Sequence, residues 1–305
     1  MTETFDTAAQ RPLGPGKAFA LLTGWRADRI RRLRGSGNEH WMVSVDGDQL
    51  VLRRFNGRQD DASIAWEFNL ITQLADRGWP IATAVAGPAE IGGQTWTVLR
   101  RLHGRQMAPT PKTSYQRGKL LARLHTELVT LNTDQRPDWE RHDTAALALA
   151  DEFDEAADAI AQRWPDRAAE LVPRMAEFTA RTTEALLAAD LSTRPSSPVH
   201  GDLMPWNLLT SRGAVSGILD FEKAHVDLPA TDLAFTTWGG KYERDVVAGY
   251  QSERPLPASD VSLLPLLWAG TCLAALHRHL TMRRVGRPAG GLGWAIDHAL
   301  RPWGG

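Results

Sequence analysis

The chain has 305 residues, 43% of them hydrophobic, with a formal net charge of −1 and one cysteine, Cys272. That length accommodates two domains or lobes with sizeable cores. Near-neutrality excludes a global field that would recruit nucleic acid or an anionic membrane, and a single thiol excludes an internal disulfide framework and fits a reducing, cytoplasmic setting.

In chain order, "MTETFDTAAQRPLGPGKAF" lacks an apolar core of signal-peptide length and reads as a disordered leader, residues 1–18. "GSGNEHWMVSV" (35–45) and "QLVLRRF" (49–55) alternate on either side of "DGD" (46–48), which predicts a hairpin. "DASIAWEFNLITQLADRG" (61–78) carries Ile64, Phe68, Ile71 and Leu74 at helical spacing and stops at Gly78. Strands are expected near 82–91 and at "TWTVLRRL" (95–102). From about 112 the pattern turns helical, with helices over 115–128, 146–164 and 174–189; the second has a stripe of Leu149, Phe153, Ala157, Ile160 and Trp164. "STRPSSP" (192–198) ends that run, "NLLTSRGAVSGILDF" (207–221) predicts a small hairpin, and helices resume from about 231. "LLPLLWAGTCLAAL" (263–276) is too short to span a bilayer and reads as a buried helix. The organisation is therefore a small sheet-and-helix lobe (19–98), a connector (99–105) and a larger, mainly helical lobe (106–305). A cleft between lobes is a natural small-molecule site.

The chemistry concentrates in "HGDLMPWNLL" (200–209) and "ILDFE" (218–222). Asp202 or Asn207 alone would read as a backbone cap, and Asp220 alone as a structural carboxylate at the end of a buried strand. Together, H-x-D-x-x-x-x-N, a hairpin and an aspartate ending an apolar strand are the parts of a phosphoryl-transfer site. Asp202 would orient the acceptor hydroxyl and take its proton, while Asn207 and Asp220 supply hard oxygen ligands for Mg²⁺. Ser36 and Gly37, in "GSGN" (35–38), form a candidate phosphate-binding turn. Arg53 shares a strand face with Val51, Arg54 points the other way, and Glu67 is placed to pair with a basic residue of that strand; otherwise Glu67 is a solvated helix residue. Two rivals stand beside this reading. One is a catalytically inactive kinase-like binding protein. The other is a metal-dependent hydrolase built on His200, Asp202, Asp220 and His225, which would favour imidazole ligands and transition metals. His277 and His279, two apart on a helix, face different ways and read as surface residues.

"HGDLMPWNLL" followed by "GILDFEKAHVDLPATDLA" resembles the aminoglycoside phosphotransferase, or phosphotransferase-enzyme, family of the protein-kinase-like fold. "LVLRRF", "EFNLITQL", "LLARLH" (120–125) and "DLPATDLA" (227–234) match further family segments, so the resemblance covers most of the chain. It implies a bilobal α+β fold with a small antiparallel-sheet lobe carrying one helix and a larger helical lobe. It also implies ATP, with GTP as an alternative, and Mg²⁺. By position it makes Asp202 the catalytic base and Asn207 and Asp220 the Mg²⁺ ligands. His200 becomes a brace of the loop, Asp232 holds the loop backbone from the next helix, and the connector, with Leu99 and Arg101, meets the adenine edge. Arg53 stands where the family often has lysine, keeping the charge and able to grip phosphate bidentately. Glu222, where protein kinases have glycine, argues for a small-molecule acceptor.

The implied partner is thus a hydroxyl-bearing small molecule, an antibiotic such as an aminoglycoside or an amino-alcohol or sugar metabolite. The chain would act as a monomer or homodimer, with no nucleic acid or membrane partner. Asp151, Glu152, Asp154, Glu155 and Asp158 read as a solvated face in preference to a pocket for a polyamine-like antibiotic. Trp238, Trp268 and Trp294 are candidate pocket walls, and Met204, Pro205 and Trp206 lie beside the acceptor's expected position.

Overall fold

The computed structural model describes residues 13–35, 37–131, 133–237 and 241–301. Ser36, Trp238 and residues 1–12 of the expected leader lie outside the described residues. The chain divides into two compact units, Met1–Gln59 with Ala82–Arg101, and Asp60–Ile81 with Leu102–Gly305.

The first unit has one helix, α1 (Pro15–Thr23), and strands β1 (Arg29–Arg32), β2 (Glu39–Val45), β3 (Asp48–Arg54), β4 (Ala84–Glu90) and β5 (Thr95–Arg100). They form an antiparallel sheet in the order β1-β2-β3-β5-β4. The predicted hairpin is β2–β3, in which His40 faces Arg53 and the chain turns at Asp46 and Gly47. Alternation directs Trp41, Val43, Leu52, Trp96 and Val98 into one core, where Ala18 and Phe19 of α1 join them. Residues 15–18 are thus helical, where the sequence suggested an irregular leader. Pro15 opens the helix, and its Ala18 and Phe19 are buried in the core of the sheet. β1 escaped the sequence reading because "RIRR" holds a single apolar residue.

The second unit opens with α2 (Asp61–Asp76), capped by Asp60, whose carboxylate accepts the Ser63 N–H at 2.7 Å. The sequence assigned this helix to the first lobe. Its Trp66, Leu70, Ile71 and Leu74 instead belong to the core of the second unit. β6 (Arg105–Gln106), α3 (Pro111–Leu128), α4 (His142–Asp151), α5 (Phe153–Arg163) and α6 (Ala168–Ala189) follow. Next come β7 (Ser197–Val199), β8 (Leu208–Ser211), β9 (Ala214–Ile218), β10 (His225–Asp227), α7 (Pro229–Thr237), α8 (Glu243–Glu253), α9 (Ala258–Ser262), α10 (Leu264–Arg284) and α11 (Leu292–Ala299). β8 and β9 are the second predicted hairpin, with β6 on its edge, while β7 pairs with β10. The apolar run 263–276 caps and enters α10 and is buried along Leu267, Trp268, Cys272, Leu273 and Leu276. No helix among the described residues is long and apolar enough to cross a membrane.

The helix expected over 146–164 is two helices. Glu152 leaves helical geometry (φ −110°, ψ 14°), and its carboxylate reaches His277 at 3.4 Å and Arg284 at 3.0 Å. The buried positions of α5 become Ala156, Ala159 and Ile160. Arg284 also binds Glu155, and Arg287 pairs with Asp60 and Asp138, so acidic and basic stretches that looked separate in sequence neutralise one another.

α3 and α8 approach closely through glycine. A Cβ on Gly118 would overlap the Val246 carbonyl and come within 2.7 Å of the Tyr250 N; one on Gly249 would overlap the Tyr115 carbonyl. Gly118→Ala should therefore destabilise the chain by roughly 1–3 kcal/mol through overpacking, read as a lower urea midpoint with an unchanged m-value.

Candidate active site

β7 delivers the chain into the 200–207 loop, a 3₁₀ turn at Pro205–Asn207 leads into β8, and β9 returns it to Asp220. Four hydrogen bonds close a ring around these segments. The Asp202 N–H donates to His200 Nδ1 at 3.2 Å, and His200 Nε2 reaches the Leu219 carbonyl at 3.1 Å. The Leu219 N–H donates to the Asn207 carbonyl at 2.8 Å, and Asn207 Nδ2 donates to the Asp202 carbonyl at 2.9 Å. A backbone N–H on Nδ1 requires a bare nitrogen there, so the imidazole is neutral with its proton on Nε2. Burial lowers the His200 pKa in the same sense.

The ring is held from α7. Asp232 Oδ2 accepts the His200 N–H at 2.8 Å and Oδ1 accepts the Gly201 N–H at 3.1 Å. His125 of α3 reaches Asp232 Oδ2 through Nε2 at 3.1 Å and the Tyr250 hydroxyl of α8 through Nδ1 at 2.9 Å. All four side chains are buried. Burial pushes the Asp232 pKa up, but the hydrogen bond and charge of His125 and the loop N–H more than offset this and leave it lowered. Gly201, at φ +75°, lies where a Cβ would overlap the Lys223 carbonyl.

Asp202 is buried and its Oδ2 is 3.1 Å from Lys223 Nζ. Burial raises its pKa, Asp220 adds to the rise, and Lys223 opposes it. With its amide N–H on the Asp202 carbonyl, Asn207 retains Oδ1 as a lone-pair donor. Asp220 is exposed and sits at φ +64°, a conformation costing about 1 kcal/mol or more for a residue with a Cβ. It follows Leu219 in the ring and precedes Phe221, whose buried ring lies 4.6 Å from that of His200.

The structure therefore brings together His200, Asp202, Asn207, Asp220 and Asp232. His225 does not join them: it faces the Lys223 carbonyl at 2.8 Å and Asp227 at 3.1 Å. The hydrolase alternative loses that imidazole, and the His200 ring is already engaged. Glu67 faces the buried Arg136 guanidinium at 3.7 Å, and Arg136 also donates to the carbonyls of Glu222 and Ala224. In the first unit, Gly37 sits at φ +93° ahead of β2, and Arg53 is buried on β3 over the Phe55 ring at 4.3 Å. Arg54 is ion-paired with Glu39 and donates to Gln94 at 3.0 Å. Leu99 lies inside β5, paired with Val51 and Ala84, and Arg101 follows the strand. Trp268 and Trp294 pack with Phe235, over whose ring Lys223 Nζ lies at 5.2 Å.

Residues 29–259 match the model of the phosphotransferase enzyme family. The chain belongs to that family. A homoserine kinase of Chelativorans sp. (strain BNC1) is 30% identical over 262 residues, covering 78% of this chain and 75% of that enzyme. One from Acidiphilium cryptum is 26% identical, covering 86% and 84%. Among solved structures, a spectinomycin phosphotransferase in complex with ADP and spectinomycin aligns with a TM-score of 0.62 at 12% identity, covering 96% of both chains. A microcompartment-associated aminopropanol kinase gives 0.58 at 18%, covering 89% of each. The fold is protein-kinase-like, and the chain is a small-molecule kinase with a hydroxyl acceptor.

Sequence reading missed four polar groups around this site: His125, although "LLARLH" ends on it, Tyr250, Lys223 and Arg136. It also missed a second brace, where buried Asp227 accepts the His142 N–H at 3.0 Å and the Leu228 N–H at 2.6 Å. The His225 and His142 rings contact Asp227 Oδ2 at 3.1 and 3.2 Å. Burial lowers the His142 pKa to about 4, so this imidazole stays neutral in the fold while the unfolded chain takes up a proton below about pH 6.5. Unfolding then binds more protons between these values, and stability should fall by roughly 3 kcal/mol from pH 6.5 to 4 on this account. Urea unfolding across that window should show a shallower slope for His142→Gln.

Proposed function

We propose that the chain transfers the γ-phosphoryl group of ATP to a hydroxyl of a small hydroxy amino acid or amino alcohol. Asp202 is the base in this reading, and Asn207 and Asp220 are the ligands for Mg²⁺. The observation that carries it is the hydrogen-bonded ring, which fixes a buried carboxylate, a bare amide oxygen and the strand end bearing an exposed carboxylate on one frame.

The donor set fits the metal. Asn207 Oδ1 and the Asp220 carboxylate are hard oxygens with no hydrogen bond to another described residue, as Mg²⁺ coordination requires. When bound, Mg²⁺ neutralises charge on the transferring phosphates. Asp202 accepts the hydroxyl proton as the acceptor oxygen bonds to the γ-phosphorus and the bond to the β-phosphate oxygen breaks, releasing ADP. Its raised pKa makes it a better proton acceptor than an ordinary aspartate, and the Lys223 contact restrains its rotamer. His200 and Asp232 act on the loop backbone alone.

Gly37, Arg53, Glu67, Leu99 and Arg101 are assigned to the nucleotide by the family resemblance. By position Arg53 is the phosphate contact of β3, and Arg53→Ala should raise the nucleotide KM far more than Arg54→Ala. ADP in the solved spectinomycin phosphotransferase supports an adenine nucleotide; competition by GTP tests the alternative. The homoserine kinases support a small hydroxy amino acid over an aminoglycoside. The neutralisation of Glu152 and Glu155 by Arg284 supports the same choice.

ADP release should be measured over L-homoserine, amino alcohols, sugars and antibiotics. Asp202→Asn should lower kcat by roughly 10²–10⁴-fold with nucleotide binding retained, and Asp220→Asn should raise the Mg²⁺ needed for half-maximal rate. Nucleotide binding without turnover on any acceptor would mark an inactive binding protein, and undiminished turnover in Asp202→Asn would remove the base from this site.

A further inference from the structure

Arg117 of α3 is 6% exposed, so its guanidinium is almost wholly withdrawn from water. Among the described residues its only hydrogen-bond partner is a thioether: Nη1 meets Met204 Sδ at 3.5 Å, and Nε is buried without a partner. Among the described residues no carboxylate stands against it, and burial lowers its pKa to about 10. A buried cation without a counter-ion is strongly unfavourable, so such groups are paired or await an anion. Its contact is also telling, because Met204 lies two residues after Asp202 in the loop whose carbonyls and N–H groups form the ring. Ser114, three residues earlier on the same helical face, is buried, and its hydroxyl makes no side-chain hydrogen bond among the described residues. A guanidinium and a hydroxyl on one helical face can both donate to a carboxylate.

We infer that Arg117, with Ser114, is the receptor for a carboxylate on the acceptor, so that the substrate is a hydroxy acid rather than a plain amino alcohol or a polycation. The inference rests on the reading of the Asp202 loop as the acceptor site. Arg117 stands against this loop without a counter-ion among the described residues, whereas Lys223 is paired with Asp202, so a polycationic antibiotic would meet repulsion at Arg117. An anionic group on the acceptor supplies the missing counter-charge, and a guanidinium held in place before binding rejects analogues that lack it.

Three probes separate the charges: L-homoserine, 4-hydroxybutanoate, which lacks the ammonium group, and 3-aminopropan-1-ol, which lacks the carboxylate. Calorimetric titration of the full chain should give the two acids roughly 10- to 100-fold tighter binding than the amino alcohol. Arg117→Met should abolish that preference, and Arg117→Lys should retain part of it. In steady-state assays Arg117→Met should raise KM for the acids and leave KM for ATP unchanged. Without ligand, Arg117→Met should melt higher than the wild type, because it removes an unpaired buried charge. The inference is overturned if the three probes bind alike or not at all, if the preference survives Arg117→Met, or if the ligand-free variant melts lower. Binding needs no phosphoryl transfer. Carboxylate selectivity without turnover would therefore condemn the kinase reading alone, and turnover without selectivity would condemn this inference alone.

Discussion

The Asp232 carboxylate receives the His200 N–H, the Gly201 N–H and the His125 ring at once, and the arrangement of the loop follows from that convergence. With both N–H groups pinned, the His200 ring can turn only so that Nδ1 meets the Asp202 N–H and Nε2 meets the Leu219 carbonyl. The second contact ties the end of β9 to the loop, so residues eighteen positions apart in sequence, Asp202 and Asp220, are fixed by one imidazole. The carboxylate carries its charge in the interior because three donors surround it, each a charge-assisted hydrogen bond. Removing a donor would leave part of that charge uncompensated, which makes the brace a unit rather than a sum of contacts.

The same principle organises the rest of the second unit. Asp227 receives the first N–H of α4 and two imidazoles, much as Asp232 receives the loop. Arg136, also buried, donates to carbonyls of the segment after Asp220 and faces Glu67. The glycine contact between α3 and α8 brings Tyr250 to His125, so helix packing and polar network are one problem: widening the first would stretch the second. Buried polar groups in this unit are organised around backbone carbonyls and N–H groups near the loop, not around surface ion pairs, which contribute little.

What the sequence made legible was whatever had local periodicity or a fixed spacing. The two hairpins, α2, α3 and the buried run in α10 show in apolar alternation or helical stripes, and Asp202, Asn207 and Asp220 show in their spacing. β1, β7 and β10 did not, since strands of three or four residues with one or two apolar positions carry no period. The break at Glu152 was invisible because nothing local stops the helix there; its carboxylate pairs with Arg284, over one hundred residues away. That α2 groups with the second unit was not legible, because periodicity tells which face is buried, not which core receives it. Lys223, His125 and Tyr250 escaped for the same reason: each acts on a group that only tertiary folding brings near.

Between Asp202 and Asn207 the frame uses main-chain atoms of Met204 and Trp206: the Met204 N–H and carbonyl, and the Trp206 carbonyl that accepts from Gln106. Their side chains are free of that frame, Met204 reaching Arg117 and Trp206 standing 53% exposed. The frame is thereby written in main-chain atoms, and the side chains of the same residues are left to make other contacts. Single substitutions of these two side chains therefore leave every hydrogen bond of the frame in place, because none of them passes through the side chains. Such a loop is a ready starting point for divergence among kinases that share a frame and differ in what they phosphorylate.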